Sequence, residues 1–154
     1  MSENKSFDLM SMAPDKEMSQ EGVWVDFFDN ARLKIAQRNN PKHQRHLTQQ
    51  YKIHRRKIDL EDENADKLAD KISLEGLAKY VLLDWENMTW NGQENIPYTP
   101  ELGFSAMTNV PVLRKEVEDQ SDRLQNFQAH NNEEDLINVK PSSPGTSSGD
   151  PQND

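Results

Sequence analysis

Cysteine is absent from the chain, which excludes disulfides and thiolate metal sites and suits it to a reducing compartment. Hydrophobic residues are scarce as well, at 33%, which is low for a chain folded from end to end. No stretch approaches the roughly 18 consecutive apolar residues of a membrane span, and Met1 to Met10 has no basic start followed by an apolar run. The expectation is a cytoplasmic chain with no membrane contact. Positive charge is in short supply: 18 Lys and Arg stand against 27 Asp and Glu, a formal net charge of -9. That balance favours solubility and disfavours indiscriminate coating of nucleic acid, which rests on neutralising phosphates.

Catalytic signatures are missing too. There is no HExxH, GxGxxG or GxxxxGKS/T. Of the four histidines, His43 and His46 lie three apart on a predicted helix. No acidic residue between Ala31 and Ile58 completes a metal site with them, so a structural role is preferred. The sequence therefore predicts no enzyme, no metal and no cofactor.

What is present is concentrated in the middle. Residues 1–21 mix Ser, Asp, Glu, Lys and Met without a period, and the end of the chain reads KPSSPGTSSGDPQND from Lys140. Neither end carries enough apolar surface to offset its ordering entropy. Disordered segments are expected over 1–21 and 131–154, flanking one domain over 22–130.

That domain opens on GVWVDFFDNARLKIA, where Val23, Val25 and Phe27 alternate with Trp24, Asp26 and Phe28, and Ala31, Leu33 and Ile35 with Arg32 and Lys34. Period two predicts a β-hairpin over 22–37. A two-residue Asp29-Asn30 loop would set Phe27 against Arg32 and Val25 against Lys34. A three-residue Phe28-Asp29-Asn30 loop instead aligns Phe27 with Ala31, Val25 with Leu33 and Val23 with Ile35, giving one apolar face. Asn30 is expected to take the left-handed turn position.

Asn40-Pro41 then reads as a cap and first helical residue, opening a helix over about 41–58. Apolar residues from Ala65 to Trp85 keep helical spacing, predicting a core helix over 63–88, kinked or divided near Gly76. Thr99-Pro100 caps a short helix over 100–108, and Pro111 restarts the pattern to about 129. The predicted class is mainly α with an N-terminal β-hairpin (α+β), the hairpin packed on a small helical bundle.

Charge is uneven. Arg32, Lys34, Arg38, Lys42, Arg45, Lys52, Arg55, Arg56 and Lys57 fall in a stretch without a single carboxylate. Such a run fits an electropositive face for phosphate or for an acidic partner. It also fits a solvated face balanced by the acidic run from Asp59 to Asp70, within the monomer or across an oligomer contact. The second reading is preferred, because no nucleic-acid-binding motif accompanies the cluster. Trp24 and Phe28 fall on or near the less apolar side of the hairpin, where they would either anchor a partner or be covered by a helix.

Three stretches together resemble the tail assembly chaperones of long-tailed bacteriophages: GVWVDFFDNARLKIAQRNNPKHQRHL at 22–47, VLLDWENMTWNGQENIPYTPE at 81–101, and the charged helical spacer between them. The likeness covers roughly Gly22 to Phe127. Its most specific elements are the hairpin leading into Arg38-Asn39-Asn40-Pro41, a helix end at Leu82-Leu83-Asp84-Trp85-Glu86, and Ile96-Pro97-Tyr98-Thr99-Pro100-Glu101. The resemblance implies a non-catalytic protein of the infected host cytoplasm. Such a protein binds the tape measure protein, keeps it soluble, helps recruit tail tube protein subunits, and is absent from the mature virion. Many such chaperones also have a longer, frameshifted form. On this reading the candidate partner-binding residues are Trp24, Phe28, Arg32, Lys34, Arg55 and Arg56, with self-association as a further contact. The competing reading is a small nucleic-acid-binding regulatory protein using the basic 32–57 segment.

Overall fold

Alternating apolar and polar residues dictate the first two strands of the structure. In the computed structural model, which describes residues 6–60 and 63–128, β1 (Val23–Asp26) pairs antiparallel with β2 (Arg32–Ile35). Val23 stands opposite Ile35 and Val25 opposite Leu33, the register predicted from the apolar pattern. The Phe27 N–H donates to the Ala31 carbonyl, and the Ala31 N–H to that of Phe28, each at 2.9 Å, closing the three-residue loop. The left-handed residue in that loop is Asp29, at φ 53°, rather than Asn30. Asp shares with Asn a short polar side chain that tolerates this conformation.

The main correction concerns residues 82–86. The helix predicted over 63–88 ends as α4 (Glu63–Tyr80), and Leu82–Glu86 forms a third strand, β3, on the far side of β2. Ile35 faces Leu82 while Lys34 faces Asp84, so Leu83 is an extra residue, a β-bulge. The bulge brings Leu82 and Trp85, three residues apart, to the same buried face. That spacing is also the helical one, which is why periodicity alone extends the helix through the strand.

Other elements start where their caps predict. The Asn40 side chain accepts the His43 N–H at 3.1 Å at the head of α2 (Pro41–Ile53). The Thr99 hydroxyl accepts the Leu102 N–H at 3.1 Å at the head of α5 (Pro100–Asn109). They end differently. The helix predicted to Ile58 breaks at His54, whose backbone (φ -103°, ψ 15°) leaves helical geometry, and resumes as α3 (Arg55–Asp59). The last helix, α6 (Pro111–Ser121), stops short of 129, and a 3-10 turn over Leu124–Phe127 carries Phe127 into the core.

Residues 1–21 were expected to be unfolded, yet α1 (Lys16–Glu21) follows a 3-10 turn over Leu9–Met12. Backbone hydrogen bonds tie this segment down. Asp15 donates to the Phe127 carbonyl at 2.7 Å, and Gln37 donates to that of Ser19 at 2.8 Å. Main-chain bonds leave no mark on composition, so apolar content underestimates the order here. The predicted tail over 131–154 lies outside the described residues.

The core gathers around α4. Leu74, Leu77, Ala78 and Val81 meet Leu33 and Ile35 of β2, Leu82 and Trp85 of β3, Met107 of α5, Leu113 and Val117 of α6, and Phe127. The result is a helical bundle closed on one side by a three-stranded antiparallel sheet, the α+β class expected. Among the described residues, no helix is long and apolar enough to cross a membrane.

Candidate interaction surfaces

Strand register decides which polar side chains share the outer face of the sheet. Trp24, Lys34 and Asp84 form one cross-strand row, and Asp26, Arg32 and Glu86 the next. Trp24, Arg32 and Lys34 therefore do lie together. Arg32 is already engaged: its guanidinium is 3.1 Å from the Glu86 carboxylate and 3.6 Å from that of Asp26, and its Cζ sits 5.3 Å from the centre of the Trp24 ring. Two carboxylates and an aromatic face hold this one cation, leaving a slightly acidic row beside a half-exposed indole.

Phe28 occupies the hairpin tip, where its side chain is 64% exposed. Its ring meets that of Phe27 edge-on, with centroids 4.7 Å apart. Phe27 in turn forms one wall of an apolar cleft of about 150 Å³, completed by Trp85, Met88, Trp90, Ile96, Val110 and Leu113. The 87–98 segment builds this cleft. The Trp85 indole N–H donates to the Ile96 carbonyl at 2.9 Å, Ile96 N–H donates to that of Met88 at 3.0 Å, and Trp90 and Gln93 exchange two backbone bonds across the Asn91-Gly92 turn. Asn91 and Gly92 both have positive φ, 52° and 83°, as that tight turn requires.

Sequence reasoning did not see the cleft. Trp85 is buried, with the Tyr98 ring edge-on at 4.8 Å. The signal that marks the cleft is Met88 and Trp90 just ahead of Asn91-Gly92, two large apolar side chains presented by a turn.

Arg55 and Arg56 belong to a different surface. They are exposed on α3, which packs chiefly on α2 and α4, and Arg55 pairs with Asp59 at 3.8 Å. The six predicted contact residues thus divide between the sheet with its hairpin tip and the α2–α3 face.

His43 and His46 point inward from α2 onto α4. The Asn39 N–H donates to His43 Nδ1 at 2.9 Å, and the imidazole lies against Gly76, where an added Cβ would come within 3.0 Å of Nε2. Burial, then the nearby His46 and the charge of Arg38, lower the His43 pKa to about 4. His46 is lowered as well, by burial and by Lys79, with Glu75 opposing. Both rings serve as helix-packing groups in their neutral form. Among the described residues, no three His, Cys, Asp or Glu side chains are grouped so as to hold a metal ion.

The model of the YdaY prophage protein family matches residues 35–138, from the second strand of the sheet through the helices to beyond the last turn. No curated protein and no solved structure shows significant similarity to the chain.

Proposed function

The chain belongs to the YdaY prophage protein family and is phage-derived, and from that premise we propose that it is a tail assembly chaperone. In this reading it is a non-catalytic protein of the host cytoplasm. It binds the tape measure protein during infection, keeps it soluble, helps recruit tail tube subunits, and is displaced before the virion matures.

The observation that carries the reading is the apolar cleft beside the exposed Phe28. A long amphipathic helical client needs its apolar side chains covered one or two at a time, by a surface that later lets go. A cleft of about 150 Å³ takes one or two aliphatic side chains, a small contact that supports moderate, displaceable affinity. The formal charge of -9 keeps the complex in solution. The resemblance over Gly22 to Phe127 and the family match over 35–138 cover much the same part of the chain.

Co-expression of the tape measure protein encoded by the same prophage with this chain tests the proposal. A larger soluble fraction and a complex isolated through either partner are expected. An insoluble client with no complex rules the assignment out.

A further inference from the structure

Helical geometry splits α2 into two faces. His43 and His46 are buried on α4, and the opposite side presents Pro41, Gln44, Arg45, Thr48, Gln49 and Lys52 along a shallow trough. Lys42 stands exposed at its edge, and α3 extends the surface with exposed Arg56 and Lys57. Arg32, Arg38, Arg55 and Arg114 each have a carboxylate partner. By contrast, Lys42, Arg45, Lys52, Arg56 and Lys57 have none within 4.0 Å among the described residues. With 27 acidic residues in the chain, carboxylates are not in short supply. Among the described residues, these cations gather on the outward side of α2 and α3 without a carboxylate partner.

We propose that the outward face of α2 and α3 is an electrostatic docking surface for an acidic helical segment of a protein partner. Charge complementarity selects the sign of the occupant, and shape selects its form. Thirteen residues of α2 make a ridge about 20 Å long, the footprint of one helix about 10 Å across laid alongside it. Arg45 and Lys52 supply charge at the centre of that footprint, and Gln44, Thr48 and Gln49 supply hydrogen bonds to carboxylates. A nucleic-acid duplex fits less well. It is wider than one helix, so much of its backbone would lie off the ridge that α2 forms. The net charge of -9 opposes a long polyanion further. This surface is separate from the apolar cleft, and the inference stands whether or not the client is a tape measure protein.

The test uses the full chain and a fluorescent helical peptide of about 20 residues carrying Glu along one face. Its counterparts are the same peptide with Gln at those positions and a short DNA duplex. The Glu peptide is expected to bind, with affinity falling about tenfold between low and physiological salt. The quadruple variant Lys42→Glu, Arg45→Glu, Lys52→Glu, Arg56→Glu is expected to lose at least about tenfold, while its circular dichroism stays unchanged. A control variant reversing the exposed Lys16, Lys71, Lys115 and Arg123 carries the same net charge and is expected to keep binding. The proposal is overturned if the Glu peptide does not bind, if the Gln peptide binds equally well, if both variants lose binding alike, or if the duplex binds more tightly than the peptide.

Discussion

Gly103 lies where only a hydrogen atom fits against Tyr98: a Cβ built on it would overlap the phenol oxygen and two ring carbons. The close approach lets the Tyr98 hydroxyl, carried just ahead of α5, donate to the Ala78 carbonyl on α4 at 2.5 Å. Burial, reinforced by Asp84 and Glu101, pushes the Tyr98 pKa up and keeps the donor protonated. Gly103→Ala should destabilise the fold by about 2–3 kcal/mol through overpacking, outweighing the roughly 1 kcal/mol that Ala gains over Gly in a helix. Urea denaturation measures this, and an unchanged midpoint would refute the packing described.

His43 gives the fold a pH dependence of defined sign. The folded state holds its pKa at about 4, below the ordinary imidazole value of 6.5, so the unfolded chain binds the proton first. The stabilisation from neutral His43 is complete above about pH 6.5 and is lost as pH falls toward 4, amounting to about 3 kcal/mol over that window. His46, lowered in the same direction, adds to it. Stability measured from pH 7 to 4 should fall more steeply in the native chain than in His43→Gln. Parallel curves would contradict the buried, neutral assignment.

Trp85 donates its indole N–H to Ile96 from a buried position, whereas Trp24 is half-exposed under Arg32. Trp85→Phe leaves the Ile96 carbonyl without that donor and reduces the apolar contact, at a cost of about 2 kcal/mol. It should also shift the remaining fluorescence to longer wavelength. Trp24→Phe should do the opposite, with little loss of stability.

Arg38 meets Asp122 through two hydrogen bonds, at 3.0 and 2.6 Å, fastening the turn before α2 to the end of α6. The pair is partly exposed, so a double-mutant cycle with Arg38→Ala and Asp122→Ala should give a coupling of about 0.5–1 kcal/mol that shrinks with added salt. A coupling of zero would mean that the contact contributes no fastening.

How much of this was legible in the sequence depended on whether a local rule acted alone. The hairpin register followed from Val23, Val25, Leu33 and Ile35, because one misaligned residue would turn the apolar face outward. Asn40 and Thr99 announced their helices through cap chemistry that needs no tertiary partner. The third strand was hidden because the bulge at Leu83 gives Leu82 and Trp85 a helical spacing. The helix at Lys16–Glu21 was hidden because main-chain bonds, which composition does not register, help hold it to the rest. The candidate contact residues were only half legible. Side-chain alternation put Trp24, Arg32 and Lys34 on one face. It could not show that Glu86, from a strand fifty-four positions away, would neutralise Arg32. The cleft is assembled from the hairpin, the 87–98 segment and the α5–α6 junction, and no single stretch of sequence contains it.

Phe28 offers the most direct test of the central claim, because it separates contact from folding. Its side chain is exposed, so Phe28→Asp should leave stability within about 0.5 kcal/mol of the native chain. Co-expressed with the tape measure protein, the native chain should raise the soluble fraction of that client and co-purify with it. Phe28→Asp, equally folded, should do so markedly less. Equal client solubility with the native chain, with Phe28→Asp and with no chain at all would contradict the account.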